Sequence, residues 1–186
     1  MPHLTPTAVV DGTVSLHPWS ADDAGALVRR INDAQIATYL DLVPQPYDVS
    51  DAHDWFAMTA DGWRSGTNAT FGIHVQAIDG VVGGIGVRFL TDLDDGCAEI
   101  GYWVAAEARG RGVATAATRV VTRWAFDAVP ELARIQLRAD VENVASNRVA
   151  EKAGFTREGV LRAQRYNARL GRRSDFVMWS LLREEL

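Results

Sequence analysis

The segment from Arg109 to Ala114 has the residue types and spacing of an anion-binding loop. It lies between a predicted strand and a predicted helix and consists of Arg109, Gly110, Arg111, Gly112, Val113 and Ala114. Its two glycines allow the backbone to turn tightly and to bring N–H groups close to a ligand. The first turn of the helix adds unpaired N–H donors and the positive end of the helix dipole, and the arginines add charged donors. This segment, called the arginine–glycine loop below, therefore predicts a phosphate or pyrophosphate site.

Two other phosphate-binding motifs fit this loop poorly. The chain has a single lysine, Lys152, and it does not follow a glycine as in a Walker A loop. Thr115 occupies the position of the last glycine in the Gly-x-Gly-x-x-Gly motif of dinucleotide-binding domains. A bare Gly-x-Gly is also typical of a simple turn with solvated arginines. Here a strand, the loop, the arginines and an amphipathic helix occur together, and this combination favours the anion site.

The rest of the chain alternates between strand and helix patterns, which indicates a mixed α/β fold. Alternation and turn signals predict strands over residues 13–17, 71–77, 81–89, 97–104, 135–139, 155–166 and 176–182. Helical spacing and capping residues predict helices over residues 20–32, from Ser50 through Trp55 and Phe56, over 112–126 and over 146–153. A hairpin turn is predicted at Asp79 and Gly80, and loops are predicted over residues 62–68 and 91–96.

Length and composition indicate one domain of 186 residues that is able to bury its own core. The single cysteine, Cys97, excludes an intrachain disulfide and a multi-cysteine zinc site. The sequence has no apolar run of the ~18–20 residues that span a bilayer. It also lacks a basic segment followed by an apolar stretch near Met1. We therefore expect a cytoplasmic protein that does not associate with membranes.

The net charge of −5 argues against a nonspecific nucleic-acid binder, which needs a basic surface. The charge is unevenly placed, with 4 basic and 14 acidic residues in 1–100 and 15 basic and 10 acidic residues in 101–186. Such asymmetry fits a polyanionic ligand on one part of the protein and a cationic ligand on another. A solvated surface with an uneven charge composition explains this asymmetry equally well.

The arginine–glycine loop matches the pyrophosphate motif Gln/Arg-x-x-Gly-x-Gly/Ala, and the chain thereby resembles the GNAT superfamily of acyl-CoA-dependent N-acyltransferases. Within that superfamily it is similar to the RimJ/RimL-like ribosomal-protein N-terminal acetyltransferases. This narrower likeness depends on four segments. The first is residues 98–103, and the second is Asn143-x-x-Ser146-Asn147 together with residues 151–155. The third is residues 158–162, and the fourth is Asp175 together with residues 179–184. The likeness covers about residues 13–185.

The resemblance implies a single GNAT-type domain over residues 1–186, of the α/β (α+β) class. Its sheet would be mixed and mostly antiparallel, splayed in the middle, with helices on both faces. The strand ending at Trp103 and Val104 would separate from the strand around residues 137–141, and the gap would accept the pantetheine arm of acetyl-CoA. The resemblance also implies that Asn143 contacts this arm, that Asn147 lies near the cofactor, and that the pyrophosphate lies on the arginine–glycine loop.

Direct acyl transfer needs an acid for the leaving thiolate, a base for the amine and a donor for the oxyanion. One subtype uses a tyrosine as the acid, but Ala150 stands at that position, so the resemblance points to Ser146. Ser146 is also suited to be the helix N-cap, and the two roles can coexist. Glu99 is the candidate base, with a structural pairing to an arginine as the alternative. The oxyanion donor would be the backbone N–H near Val104.

Aromatic residues of the first helices are candidates for the acceptor wall. In the family the first two helices and their loop form this wall, so Tyr39 and Trp55 are candidate substrate contacts, although core packing also explains such residues. Arg165 stands where certain relatives carry a glutamate base, and this departure leaves the acceptor open. His53 and His74 are candidates for proton transfer, but isolated histidines are more often surface or partly buried polar groups. The sequence contains neither a His-Glu-x-x-His zinc motif nor a Gly-x-Ser-x-Gly elbow.

These features predict an N-acetyltransferase that uses acetyl-CoA, without a metal, to acetylate a primary amine. The acceptor would be a protein N-terminal α-amine or an amine of a small molecule or antibiotic, and the acidic first half favours a cationic one. A non-catalytic acyl-CoA sensor and an enzyme for a longer acyl group such as succinyl are the alternatives. Homodimers occur in such families, and the sequence leaves the oligomeric state open.

Overall fold

The computed structural model describes residues 4–90 and 96–186, and it contains one eight-stranded sheet. The strands are β1 (Val9–Asp11), β2 (Val14–Pro18), β3 (Asn68–Val75), β4 (Ile78–Leu90), β5 (Cys97–Val104), β6 (Arg134–Asp140), β7 (Thr156–Asn167) and β8 (Arg172–Leu182). Their order across the sheet is β1-β2-β3-β4-β5-β6-β8-β7. The pair β5–β6 is parallel and the other neighbours are antiparallel, so the predicted mixed, mostly antiparallel sheet is confirmed.

Helices cover both faces of this sheet. They are α1 (Ala24–Ile31), α2 (Ala34–Tyr39), α3 (Val49–Ser65), α4 (Val113–Ala128) and α5 (Val144–Ala153), with short 3-10 turns at Ala21–Asp23, Ala106–Ala108 and Arg183–Glu185. Val81 packs in one buried cluster with α1, whereas Val82 packs in another with α4. Successive residues of a strand point to opposite faces, so the two clusters lie on the two sides of the sheet.

The sheet opens between β5 and β6, as the family resemblance implied. The two strands pair from Cys97 opposite Arg134 to Ile100 opposite Leu137, and the pairing ends there. Residues 101–104 of β5 remain paired with β4 on their other side. Their edge that faces β6 is therefore an open strand edge, which presents backbone N–H and C=O groups.

Helix ends differ from the sequence prediction at α3 and at α2. The N-cap of α3 is Asp48 and not Ser50: the Asp48 carboxylate accepts the Asp51 N–H at 3.1 Å, and the Asp51 carboxylate accepts the Asp48 N–H at 2.9 Å. This reciprocal pair is a capping box, and it places Ser50 inside the helix. α2 has only six residues and was not predicted from the periodicity.

The first long hairpin also differs from its prediction. Val75 pairs with Ile78, so the turn lies at residues 76–77 and not at Asp79 and Gly80. Gly80 has a positive φ of 69° inside β4, next to a register shift in its pairing with β3. The glycine signal was real, but it marks an irregularity in the strand.

The predicted loops have mixed outcomes. The predicted loop over residues 62–68 is shorter than expected, because α3 continues to Ser65 and ends at Gly66 in the left-handed conformation. The predicted acidic loop lies, except for Gly96, outside the described residues. β1 was not predicted. α4 and β7 lie within two residues of their predicted bounds, whereas β8 begins four residues earlier than predicted, at Arg172.

A carboxylate on β7 links three strands and gives a pH-dependent contribution to stability. Glu158 accepts two hydrogen bonds of 2.6 Å from the Arg134 guanidinium and one of 2.7 Å from the Ser180 hydroxyl. These donors, Arg134 first, lower the pKa of Glu158 from 4.5 to about 2. Because the folded pKa lies below the unfolded one, this stabilisation is present above about pH 4.5 and is lost as the pH falls towards 2.

We expect Glu158→Gln to lower the free energy of unfolding at pH 7 by no more than about 1 kcal/mol, because the ion pair is partly exposed to solvent. The difference from the parent protein should shrink between pH 4.5 and 2. Urea unfolding at pH 7 and pH 3 measures it, with Glu151→Gln on the exposed face of α5 as the matched control. A difference that stays constant over this pH range would contradict the assignment.

Candidate active site

Two cavities meet at the end of β5. The first, called the loop cleft, has a volume of about 370 Å³ and is lined by α2, the end of β5, the arginine–glycine loop, the first turn of α4 and one side of α5. The second, called the apolar cavity, has a volume of about 710 Å³ and lies between α1, α3 and strands β4 and β5. Leu40, Tyr102 and Trp103 border both. These three residues therefore form a common wall.

The arginine–glycine loop has the backbone that its glycines predicted. Gly110 and Gly112 have φ values of 73° and 77°, which side-chain-bearing residues rarely adopt. An added Cβ would meet no atom within 4 Å at either position, so the backbone conformation and not crowding accounts for both glycines. Gly112 is the N-cap of α4. The first turn of this 16-residue helix therefore points its N–H groups into the loop cleft.

The two arginines of the loop have different surroundings. The Arg109 guanidinium donates to the Asp33 carboxylate at 2.7 Å and to the Gln35 side chain at 2.8 Å, and its Nε donates to the Val104 carbonyl at 3.1 Å. The Arg109 hydrogen bond is the largest cause of the lowered pKa of Asp33. Arg109 thus fixes α2 against the end of β5 and borders the loop cleft. Arg111 is exposed and lies outside the cleft lining.

A pair of hydroxyl groups lies where the sheet opens. The Tyr102 and Ser146 hydroxyl oxygens are 2.9 Å apart, and both residues border the loop cleft. Burial raises the pKa of Tyr102 to about 12, so its hydroxyl stays protonated at neutral pH. The sequence predicted a strand over residues 97–104 from its alternation but indicated no role for Tyr102. That alternation was the available signal.

Ser146 is not the N-cap of its helix. α5 begins at Val144, and the Asn143 side chain accepts the Ser146 backbone N–H at 3.0 Å, so Asn143 is the capping residue. The serine hydroxyl is therefore not used in capping and faces Tyr102 instead. The catalytic role of Ser146 stays a prediction, but the structural alternative considered for it is wrong.

The two asparagines predicted near the cofactor differ in position. Asn143 borders the loop cleft, as do the predicted residues Trp103, Val104, Val113 and Ala114. The Asn147 amide donates to the carbonyls of Asp140 and Asn143 at 2.9 and 3.0 Å and accepts the Trp179 indole N–H at 2.9 Å. These bonds hold α5 on β6 and β8. A cofactor contact by Asn147 stays a prediction.

Glu99 borders the apolar cavity, on the opposite side of β5 from Tyr102. Its carboxylate accepts hydrogen bonds from Arg138 at 2.8 Å, Gln136 at 2.9 Å and Arg88 at 3.4 Å. These three donors engage both oxygens of the carboxylate. The structural alternative for Glu99 therefore has direct support, and its role as a base stays a prediction.

The two aromatic residues predicted for the acceptor wall border different cavities. Trp55 borders the apolar cavity, whereas Tyr39 borders the loop cleft. Burial, followed by the charges of Asp140 and Glu142, raises the pKa of Tyr39. The lining residues of the two cavities include neither His53 nor His74.

Residues 4–90 and 96–186 contain neither a candidate metal site nor a helix that could span a membrane. No group of three His, Cys, Asp or Glu side chains in this part of the chain is placed to hold a metal ion. In the same ranges, every helix is too short or too polar to cross a bilayer.

Known proteins resemble this chain in sequence and in structure. Residues 13–156 match the family described as acetyltransferase (GNAT) domain. The uncharacterized N-acetyltransferase p20 of Bacillus licheniformis is 31% identical over 172 residues, which cover 92% of this chain and 94% of that protein. Mycobacterium smegmatis RimJ, solved in complex with a CoA-disulfide, is 28% identical with a TM-score of 0.86, covering 97% of this chain and 90% of RimJ. A ribosomal-protein-S5-alanine acetyltransferase from Vibrio fischeri has the same fold at 17% identity, with a TM-score of 0.82 and coverage of 95% and 96%.

Proposed function

The chain belongs to the GNAT acetyltransferase family, and we propose that it transfers the acetyl group of acetyl-CoA directly to a primary amine. Acetyl-CoA is the donor that this family uses. The observation that carries the proposal is the continuity of the loop cleft, which joins the N-terminus of α4 to the open edge of β5. Acetyl-CoA needs both features, an anion site for its pyrophosphate and a strand edge for its amide-bearing arm.

The loop cleft supports a definite placement of the donor. The pyrophosphate would lie on the N–H groups of the arginine–glycine loop and the first turn of α4. The pantetheine arm would follow the open edge of β5, near Asn143, with its thioester at the level of Trp103 and Val104. The acceptor would then approach from the apolar cavity, because Tyr102 and Trp103 border both cavities.

The proposed reaction forms a C–N bond and breaks the C–S bond of the thioester. The amine nitrogen attacks the carbonyl carbon, and the backbone N–H near Val104 stabilises the oxyanion. The departing sulfur takes a proton from the Ser146 hydroxyl, the Tyr102 hydroxyl replenishes it over 2.9 Å, and solvent then returns a proton to Tyr102. The amine loses its proton to solvent or, through water, to Glu99.

Two acceptor classes fit this chemistry, a protein N-terminal α-amine and the amine of a small molecule. The names of the Vibrio fischeri and Mycobacterium smegmatis proteins support the first class, since they are a ribosomal-protein acetyltransferase and RimJ. The large cavity beside β5 supports the second. Both acceptors require the same donor site and the same proton transfers.

Ligand binding and turnover test the proposal directly. We expect acetyl-CoA and CoA to raise the melting temperature and to give a calorimetric Kd, whereas NAD and ATP should do neither. Acetyl-CoA should then release free thiol in the presence of a suitable primary amine, faster than succinyl-CoA does. Binding without turnover on any amine would favour an acyl-CoA sensor. The absence of binding by every CoA compound would overturn the assignment of the loop cleft.

A further inference from the structure

The apolar cavity is larger and less polar than a small acceptor amine requires. Its volume of about 710 Å³ lies in the range of sites for drug-sized ligands. Five aromatic residues border it, namely Trp19, Tyr47, Trp55, Tyr102 and Trp103. Leu42 and Met58 also border it although they are 85% and 58% exposed. Exposed apolar side chains around a cavity are stabilised when a ligand covers them.

The charges around the cavity are mostly negative. Of the residues that the structure describes, Asp51, Asp54 and Glu99 border it, against a single guanidinium, that of Arg88. Arg88 and Arg138 compensate Glu99, so the carboxylates on α3 dominate the field. In agreement, burial and then the charges of Asp51, Asp48 and Asp54 raise the pKa of Tyr47 to about 12. Such a cavity attracts a cation and repels a carboxylate.

We infer that the acceptor is a primary amine attached to a bulky apolar group without a carboxylate, and that this group occupies the apolar cavity. The inference rests on the proposed function and names its substrate class. The common wall of Tyr102 and Trp103 places the amine end at the opening of the sheet. An aromatic body matches the tryptophan-rich lining, and the carboxylates of α3 attract the protonated amine before it reacts.

Gly101 provides a sharp test of the cavity. It lies on β5 at the cavity wall, and an added Cβ would meet no atom within 4 Å. Its φ lies outside the left-handed region, and a β-branched residue suits a strand. Gly101→Val therefore inserts an isopropyl group into the cavity. Gly159→Val on β7 is the matched control, since it also adds a side chain to a strand glycine with open space but lies outside both cavities.

The assay compares amines that differ in one property. We expect kcat/KM for 2-phenylethylamine to exceed that for ethanolamine about 10- to 100-fold, which corresponds to burial of one aromatic side chain. L-phenylalanine should be at least about tenfold poorer than 2-phenylethylamine because of its carboxylate. In tripeptide amides, the one beginning with Phe should be preferred to the one beginning with Ser. Faster turnover of the Phe peptide than of 2-phenylethylamine would identify a peptide acceptor, and the reverse order a small-molecule acceptor.

Gly101→Val should lower kcat/KM for 2-phenylethylamine about tenfold more than it lowers kcat/KM for ethanolamine, and comparing the two amines in one variant cancels any effect of the valine on donor binding at the edge of β5. Gly159→Val should leave all of these values near those of the parent. Equal or better turnover of ethanolamine and the Ser peptide would overturn this inference and leave the proposed function standing. Acetyl-CoA binding without thiol release on any amine would overturn the proposed function, and this inference with it.

Discussion

Gly112→Asp is expected to weaken acetyl-CoA binding about 100-fold, equivalent to about 2.7 kcal/mol. Two effects add. The residue has a φ of 77° as the N-cap of α4, and a side chain there is strained. The new carboxylate would also stand at the helix N-terminus, where it would repel the pyrophosphate and occupy N–H donors that the ligand needs. Isothermal calorimetry with acetyl-CoA measures the change in Kd.

Two control variants separate charge from backbone strain. Gly112→Asn has the same shape as the aspartate and tolerates the left-handed region, so it should weaken binding by no more than about tenfold. Gly171→Asp places the same residue at a φ of 64° in the turn between β7 and β8, where a Cβ has open space. It should leave the Kd of acetyl-CoA unchanged. Parent-like affinity of Gly112→Asp would show that the pyrophosphate does not lie on this loop.

The features that could be predicted from the sequence are local ones. The two glycines and the helical spacing after them lie within 20 residues, and the structure has both the turn and α4. Cap and turn positions were harder, because Asp48 and Ser50 are equally good capping residues and only the extended backbone at Asp48 decides between them. The predicted hairpin turn at Asp79 and Gly80 was wrong for a similar reason, since the positive φ of Gly80 suits an irregularity within a strand as well as a hairpin turn.

The features that could not be predicted join residues distant in the sequence. Tyr102 and Ser146 are 44 residues apart, and Arg109 and Asp33 are 76 apart. No periodicity or spacing within one element specifies such contacts, because they depend on how the elements pack. The sequence suggested both arginines of the loop as free anion donors, but the packing of α2 against β5 engages Arg109 with Asp33 and Gln35. The splay of the sheet came from the family resemblance, and the pairing of β5 with β6 confirms it.

Ser146→Ala is expected to lower kcat about 100-fold, the lower end of the range for removing a general acid. The KM for acetyl-CoA should change little, because the hydroxyl acts on the departing sulfur. Tyr102→Phe should lower kcat about tenfold, since it removes one hydrogen bond to the serine. The double variant should be no slower than Ser146→Ala alone, because the two hydroxyls act in one path. Steady-state thiol release measures all three variants.

Measurements of protein stability distinguish a role of Ser146 as the general acid from a purely structural role. Alanine keeps the backbone N–H that Asn143 accepts, so Ser146→Ala should change the free energy of unfolding by no more than about 0.5 kcal/mol. Ser15→Ala, a half-buried serine on β2 away from both cavities, is the matched control and should leave kcat unchanged.

Because the pKa of Tyr102 is about 12, the hydroxyl pair adds no titration to the kcat profile between pH 6 and 10. Parent-like kcat in Ser146→Ala would exclude the serine as the acid, and full additivity in the double variant would exclude the shared path.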